Sequence, residues 1–154
     1  MKYHQGFFNP NNPNKYAGDV KKIVYRSGLE KSYMHSFDNN PNILEWNSEE
    51  IVIPYYHHMD NRQHRYFTDF YLKIKDKKGN IIKYVIEVKP LFQTIPPKPP
   101  KKKAGKVHHM SQKKFRDRID TYLKNQAKWN AAKKFCEENN MVFKILTEKD
   151  LQKS

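Results

Sequence analysis

The residues with types and spacing suited to chemistry are Asp69, Glu87 and Lys89, in the stretch RYFTDFYLKIKDKKGNIIKYVIEVKP from Arg65 to Pro90. Two runs rich in β-branched and aromatic residues flank DKKGN, which reads as a hairpin. Gly79 suits the left-handed last position of a three-residue loop, Lys77-Lys78-Gly79. That loop pairs Asp76 with Asn80, and the same register sets Asp69 directly opposite Glu87. Side chains at such positions stand roughly 4.5–5.5 Å apart at Cβ, and like charges there are destabilising. Two facing carboxylates suit a hard divalent cation, which takes oxygen ligands. Lys89 falls two residues beyond Glu87 on the same face, within reach of a phosphate or a water at the ion. The alternative is an ordinary exposed strand, with a cross-strand Lys neutralising either acid. Glu87, however, sits inside YVIEVKP, where an acid is not expected without a reason.

The elements that must carry these residues follow from periodicity. In the first run Tyr66, Thr68, Phe70, Leu72 and Ile74 share one face, while Phe67, Asp69, Tyr71 and Lys73 share the other. SGLEKSYMHSF, Ser27 to Phe37, reads as a short helix, with Leu29, Tyr33 and Phe37 one turn apart and Asn39-Asn40-Pro41 as its stop. Glu30 lies near where that helix meets the sheet. Ser27-x-x-Glu30 is also a capping box, in which Glu30 bonds back to the cap backbone, and the residues alone favour the cap over catalysis. ILEW (43–46) and EIVIPYY (50–56) read as strands, with Pro54 marking an edge or a bulge. HHMDNRQHR then connects to the hairpin. His57, His58 and His64 lack the cysteine pairs or HExxH spacing of a zinc site, so they read as basic loop residues. LFQTIPPKPPKKKAGK reads as a long mobile loop. Ser111 caps a helix running to about Asn139, with Phe115, Ile119, Tyr122, Leu123, Ala127, Ala131 and Phe135 as its buried stripe. MVFKIL (141–146) is a last strand, and Thr147 caps a short terminal helix. The order is helix, three strands in an antiparallel meander, helix, strand. The domain reading is an extended arm over 1–24, then one domain over 25–154 with a Pro/Lys-rich loop at about 92–108.

Composition narrows the partners. The 154 residues hold 30 Lys and Arg against 16 Asp and Glu, a formal charge of +14. Between Lys98 and Lys134 there are 13 basic residues and two acids, so +11 of that charge falls in one stretch. This points to polyanions, nucleic acid first, and a one-sided basic stripe suits a phosphate backbone. No apolar run approaches the roughly 18 residues of a membrane span, and the N-terminal residues lack a signal-peptide core. Cys136 is the only cysteine, which excludes an intrachain disulfide and fits a reducing interior.

Helix Glu30, strand Asp69 and Glu87-Val88-Lys89, in αβββαβ order, resemble the PD-(D/E)XK nuclease core, an α/β fold with a mixed central sheet flanked by helices. Longer stretches are more specific: NPNKYAGD, IVYRSGLEKSYMHSFDNNPNILEWNSEEIVIPYYH, RYFTDFYLK with VIEVKP, and KWNAAKKFCEENNMVFKILTEKDL. These resemble the head completion nucleases of T-even-type tailed phages, and the transposon end-cleaving subunit TnsA is similar in the same core. Thr68-Asp69 stands where the literal motif has Pro-Asp, a position that varies across the superfamily.

The resemblance implies metal-assisted hydrolysis of phosphodiester bonds in double-stranded DNA. It implies Asp69 and Glu87 as ligands of Mg²⁺ or Mn²⁺, with the Val88 carbonyl as a further ligand. Lys89 and an acidic Glu30 complete the catalytic set, and Glu30 can serve as cap and site residue together. Lys101, Lys102, Lys103, Gln112, Lys113, Arg116, Lys124 and Lys128 would grip the backbone without reading bases. The implied setting is phage head completion and DNA packaging, in the host cytoplasm during assembly or in the virion head. The portal or other head-completion proteins are the implied partners. The alternative is a structural head-completion protein that binds DNA ends or the portal with little nuclease activity. An RNA-binding module would need stacking aromatics on an open sheet face, and the hairpin carries carboxylates there instead.

Overall fold

The structure is a computed structural model, and it describes residues 5–102, 104–105 and 109–151. The chain runs β1 (Gly6–Phe7), β2 (Val24–Tyr25), α1 (Gly28–Asn39), β3 (Ile43–Ser48), β4 (Val52–His57), β5 (Arg62–Phe67), β6 (Phe70–Lys75), β7 (Ile81–Val88), α2 (His109–Glu138), β8 (Val142–Leu146) and α3 (Glu148–Leu151). A four-stranded mixed sheet has the order β3-β6-β7-β8. β3, β6 and β7 pair antiparallel, and β8 joins β7 in parallel after the α2 crossover. β4 and β5 form a separate hairpin between β3 and β6. Without that insertion the order is αβββαβ with a mixed sheet, as the sequence implies.

The β6–β7 hairpin has the expected register. Asp76 N–H donates to the Asn80 carbonyl at 2.9 Å, and Gly79 takes a φ of 84°. The ladder then runs from Lys75–Ile81 to Phe70–Ile86. Val85 to Val88 are all buried, as befits a central strand covered on both faces. Ile86 and Val88 face α1, in a core with Tyr33, Met34, Phe37, Trp46, Phe70 and Leu72. The opposite face meets the β4–β5 hairpin and α2, where Ile53, Tyr55, Tyr66, Trp129 and Ala132 form a second core with Phe143 and Ile145 against it.

The residues before α1 pack on the first core. Phe8, Tyr16 and Ile23 are buried in it, and Phe8 and Tyr16 meet the Trp46 ring edge-on at 5.8 and 4.8 Å. Ala17 N–H donates to the Trp46 carbonyl at 2.8 Å, which covers the free edge of β3. Asp38, 0% exposed, accepts the backbone N–H groups of Asn11 and Asn12. The Lys15 ammonium meets the carbonyls of Phe37, Asp38 and Asn40 at 2.8–2.9 Å. It thereby satisfies acceptors that a helix C-terminus leaves open.

Three expectations are corrected. The residues RQHR belong to β5, not to a connection, so His57 and His64 lie on paired strands at a hairpin tip. Their polarity hid the strand, because this ribbon is covered on one face only. The helix α2 begins at His109, which puts Ser111 inside it and not at its cap. Its buried face is Asn125, Trp129, Ala132 and Cys136, while Leu123 is 42% exposed. The helix packs through its C-terminal half, where Ala127, Ala131 and Phe135 of the expected stripe flank that face, partly buried against the second core. Thr147 does cap α3, its hydroxyl accepting from Lys149 N–H at 3.3 Å. No helix among the described residues is long and apolar enough to cross a membrane.

Candidate active site

Asp69 sits at a bend between β5 and β6, not inside one continuous strand. The chain must leave the β4–β5 ribbon there and enter the main sheet. The bend is held by the β3–β4 connection. Thr68 N–H donates to the Ile51 carbonyl at 3.0 Å, the Thr68 hydroxyl donates to the same oxygen at 3.2 Å, and Glu49 N–H donates to the Asp69 carbonyl at 3.1 Å. A proline at position 68 has no N–H to give, so Thr supports this bend with two donors that Pro-Asp lacks.

The Asp69 carboxylate takes the place of the next ladder bond. Its Oδ2 accepts Val88 N–H at 2.8 Å, while Lys89 N–H turns the other way, to the Leu146 carbonyl at 3.0 Å. In a strand the N–H and C=O of one residue point to the same side, so the Val88 carbonyl faces the Asp69 side. Glu87 is 4% exposed. Its Oε2 accepts the Tyr66 hydroxyl, and its Oε1 lies 3.5 Å from the Lys89 ammonium. A buried carboxylate without such partners would be strongly disfavoured.

Glu30 approaches from the start of α1. Ser27 Oγ accepts Glu30 N–H at 3.1 Å, and Glu30 Oε2 accepts Arg26 N–H at 2.9 Å. The back-bond therefore goes one residue before the cap, not to the cap itself. Arg26 also pairs with Glu49 at 2.6 Å. From the other face Lys128, half-buried on α2, holds its ammonium 5.4 Å from the Tyr66 ring centre and 5.9 Å from that of Tyr55.

The electrostatics tie these groups together. Burial, then the charge of Glu87, pushes the Asp69 carboxyl well above the usual carboxylate range, with Glu30 adding to the rise and the Val88 N–H opposing it. Burial raises Glu30 as well. Burial also pushes the Tyr66 phenol up, reinforced by Glu87. Lys128 is lowered by burial and by Lys124. Acidic groups that resist ionisation beside one another are what an added cation relieves.

Among the described residues no group of three or more His, Cys, Asp or Glu side chains is arranged to hold a metal ion. The oxygen donors that could hold a cation are Asp69, Glu87 and the Val88 carbonyl. These are oxygen donors throughout, the chemistry of a hard divalent ion.

The structure thus brings Glu30, Asp69, Glu87, Val88 and Lys89 to one end of the β6–β7 ladder. Lys128, read from sequence as a backbone grip, stands beside them. Gln112, Lys113, Arg116 and Lys124 are exposed along α2, and Lys101 and Lys102 are exposed before it. Lys103 lies outside the described residues. Tyr66, Arg26 and Glu49 were not singled out by the sequence reading. Strict alternation put Tyr66 on the face away from the acids, but the Thr68–Asp69 bend turns it back to Glu87. The signal available was Thr68-Asp69 itself, the mark of a bend within an otherwise continuous run.

The family model described as TnsA-like endonuclease N terminal matches residues 40–148. That span holds Asp69, Glu87, Lys89 and Lys128, and Glu30 lies before it. Over 149 residues the chain is 38% identical to the head completion nuclease of Enterobacteria phage T4, covering 97% of this chain and 94% of that protein. With an αβββαβ core, an acidic pair at the end of its central hairpin and a match over most of its length, the chain belongs to the TnsA-like endonuclease family.

Proposed function

We propose that this chain is a divalent-metal-dependent endonuclease that hydrolyses phosphodiester bonds of double-stranded DNA during phage head completion. The observation that carries the reading is the Asp69–Glu87 pair, joined by Lys89 and Glu30, in a member of an endonuclease family. Asp69, Glu87 and the Val88 carbonyl would hold Mg²⁺ or Mn²⁺. Such an ion, when bound, lowers the pKa of water and stabilises charge on a scissile phosphate. Lys89 offsets charge that develops on the phosphate or orients the attacking water. Glu30 holds a water by hydrogen bonding. Tyr66 fixes the rotamer of Glu87. Lys101, Lys102, Lys103, Gln112, Lys113, Arg116, Lys124 and Lys128 bind the backbone, so binding is nearly blind to sequence. The name of the T4 relative supports a place in head completion; on this reading the protein acts in the host cytoplasm during assembly or in the virion head, with the portal or other head proteins as partners.

The test is single-turnover cleavage of linear duplex DNA with Mg²⁺ and with EDTA. The wild type is expected to cut only with the ion. Lys89→Ala is expected to lose cleavage while still binding duplex, because the bulk of the positive charge lies on and before α2. A Lys89→Ala protein that cuts at the wild-type rate would remove Lys89 from the chemistry. Cleavage that survives EDTA would remove the metal.

A further inference from the structure

A cleft of about 510 Å³ opens between the segment after Lys89 and the middle of α2. One wall is the 3-10 turn Leu91–Thr94 and the extended residues that follow it. That wall is pinned, since Leu91 N–H donates to Glu148 of α3 at 2.9 Å. Phe92 and Ile95 stand on it, 72% and 49% exposed. Tyr122 and Arg118 face them from α2, and buried Asn125 lies at the floor. A smaller cavity of about 220 Å³ continues outward and shares Lys98 and Arg118, adding Lys114 and Phe115. The two form one groove in which aromatic rings alternate with cations, with Asp117 as the single acid among the lining residues. Its inner end is close to the candidate active site: Asn125 is three residues, about 4.5 Å of helix rise, from Lys128.

We propose that this groove binds an unpaired DNA strand. Sequence-tolerant single-strand sites combine a basic track for the phosphates with aromatic faces for the bases. Lys98, Lys114 and Arg118 supply the track, and Phe92 and Tyr122 supply the faces. Exposed Phe92 next to a cationic rim is better explained by a stacking base than by an apolar protein segment, which would meet desolvated Lys and Arg side chains. Resting on the nuclease reading, the proposal makes the preferred substrate a duplex with a single-stranded extension at the cut, its free strand leaving the site along α2.

The experiment is fluorescence anisotropy in EDTA, so that binding is read without hydrolysis. The probes are a short labelled oligothymidylate, a blunt duplex and a duplex with a single-stranded overhang. Wild type is expected to bind the overhang duplex more tightly than the blunt one. Phe92→Ala is expected to lower the ratio of single-strand to duplex affinity by about fivefold or more, the lower end of base stacking on an aromatic ring. Phe7→Ala, an equally exposed ring on β1, is the control and should leave the ratio unchanged. An unchanged ratio in Phe92→Ala overturns the proposal, as would be seen if the groove seats a protein segment. An equal drop in Phe7→Ala also overturns it. A protein that shows the predicted loss but never cuts DNA supports the groove and sinks the nuclease reading instead.

Discussion

At the scale of single residues, the site is under electrostatic tension that particular contacts restrain. Asp69 carries the largest burden, buried beside Glu87, with the Val88 N–H and the charge of Lys89 opposing the rise. Its carboxyl is raised in the folded state, so the folded protein holds the proton more tightly than the unfolded chain. Stability is then greatest below the ordinary Asp range near pH ~4 and falls as pH rises through the raised folded value. Asp69→Asn keeps an oxygen for Val88 N–H and removes that fall. In metal-free buffer at pH 7 the variant is expected to melt above wild type. The like-charge term of roughly 0.2–1 kcal/mol corresponds to a rise on the order of 1–4 °C. The gain should vanish near pH 4, and thermal melts across that range check both statements. Tyr66→Phe is expected to act in the opposite direction. It strips a donor from buried Glu87 and should cost about 1.5–3 kcal/mol, with a slower single-turnover cut because Glu87 is no longer held. Denaturant midpoints and cleavage rates measured on the same preparation test this, and a Tyr66→Phe protein equal to wild type in both would deny Tyr66 its positioning role.

At the scale of elements, legibility in the sequence followed how strongly local chemistry constrained each piece. The β6–β7 register was readable because Gly79 at φ 84° fixes the turn and the turn fixes every pair above it. The α1 cap was readable because Ser27 and Glu30 are a local motif. The bend at Thr68–Asp69 was not, since its hydrogen bonds come from Glu49 and Ile51, far back in the chain. Tyr66 was lost with it, because alternation holds only within one strand. The stripe on α2 was readable only in part: Ala127, Ala131 and Phe135 do flank the packing face, but Lys and Arg spread around the exposed N-terminal half blur its centre, and Trp129 was left out. Its packing face supplies a direct check. Trp129, 3% exposed among Ile53, Tyr55 and Ala132, should cost about 3–5 kcal/mol when replaced by Ala. Leu123→Ala should stay within about 0.5 kcal/mol. Chemical denaturation of the two variants checks which of the two residues packs, and the reverse order would put Leu123 on the core face instead.

At the scale of the whole molecule, acids and cations are divided between different parts of the fold. The carboxylates of Glu30, Asp69 and Glu87 gather at one end of the sheet, while +11 of the net +14 lies between Lys98 and Lys134. Duplex binding should therefore be strongly salt-dependent, each phosphate contact adding about −0.9 to the slope of log K against log salt. Replacing Lys113, Arg116 and Lys124 together with Ala should flatten that slope by roughly 2–3 units. An unchanged slope in a salt titration would place the DNA elsewhere. The division also lets the proposed ion site be tested by itself, because its carboxylates lie apart from the exposed cations of α2. The most direct measurement is a crystal of the protein soaked in Mn²⁺ and read by anomalous scattering. A peak is expected between the carboxylates of Asp69 and Glu87, within coordination distance of the Val88 carbonyl, and its loss is expected in Asp69→Asn. A peak among His57, His58 and His64, with none between Asp69 and Glu87, would contradict it.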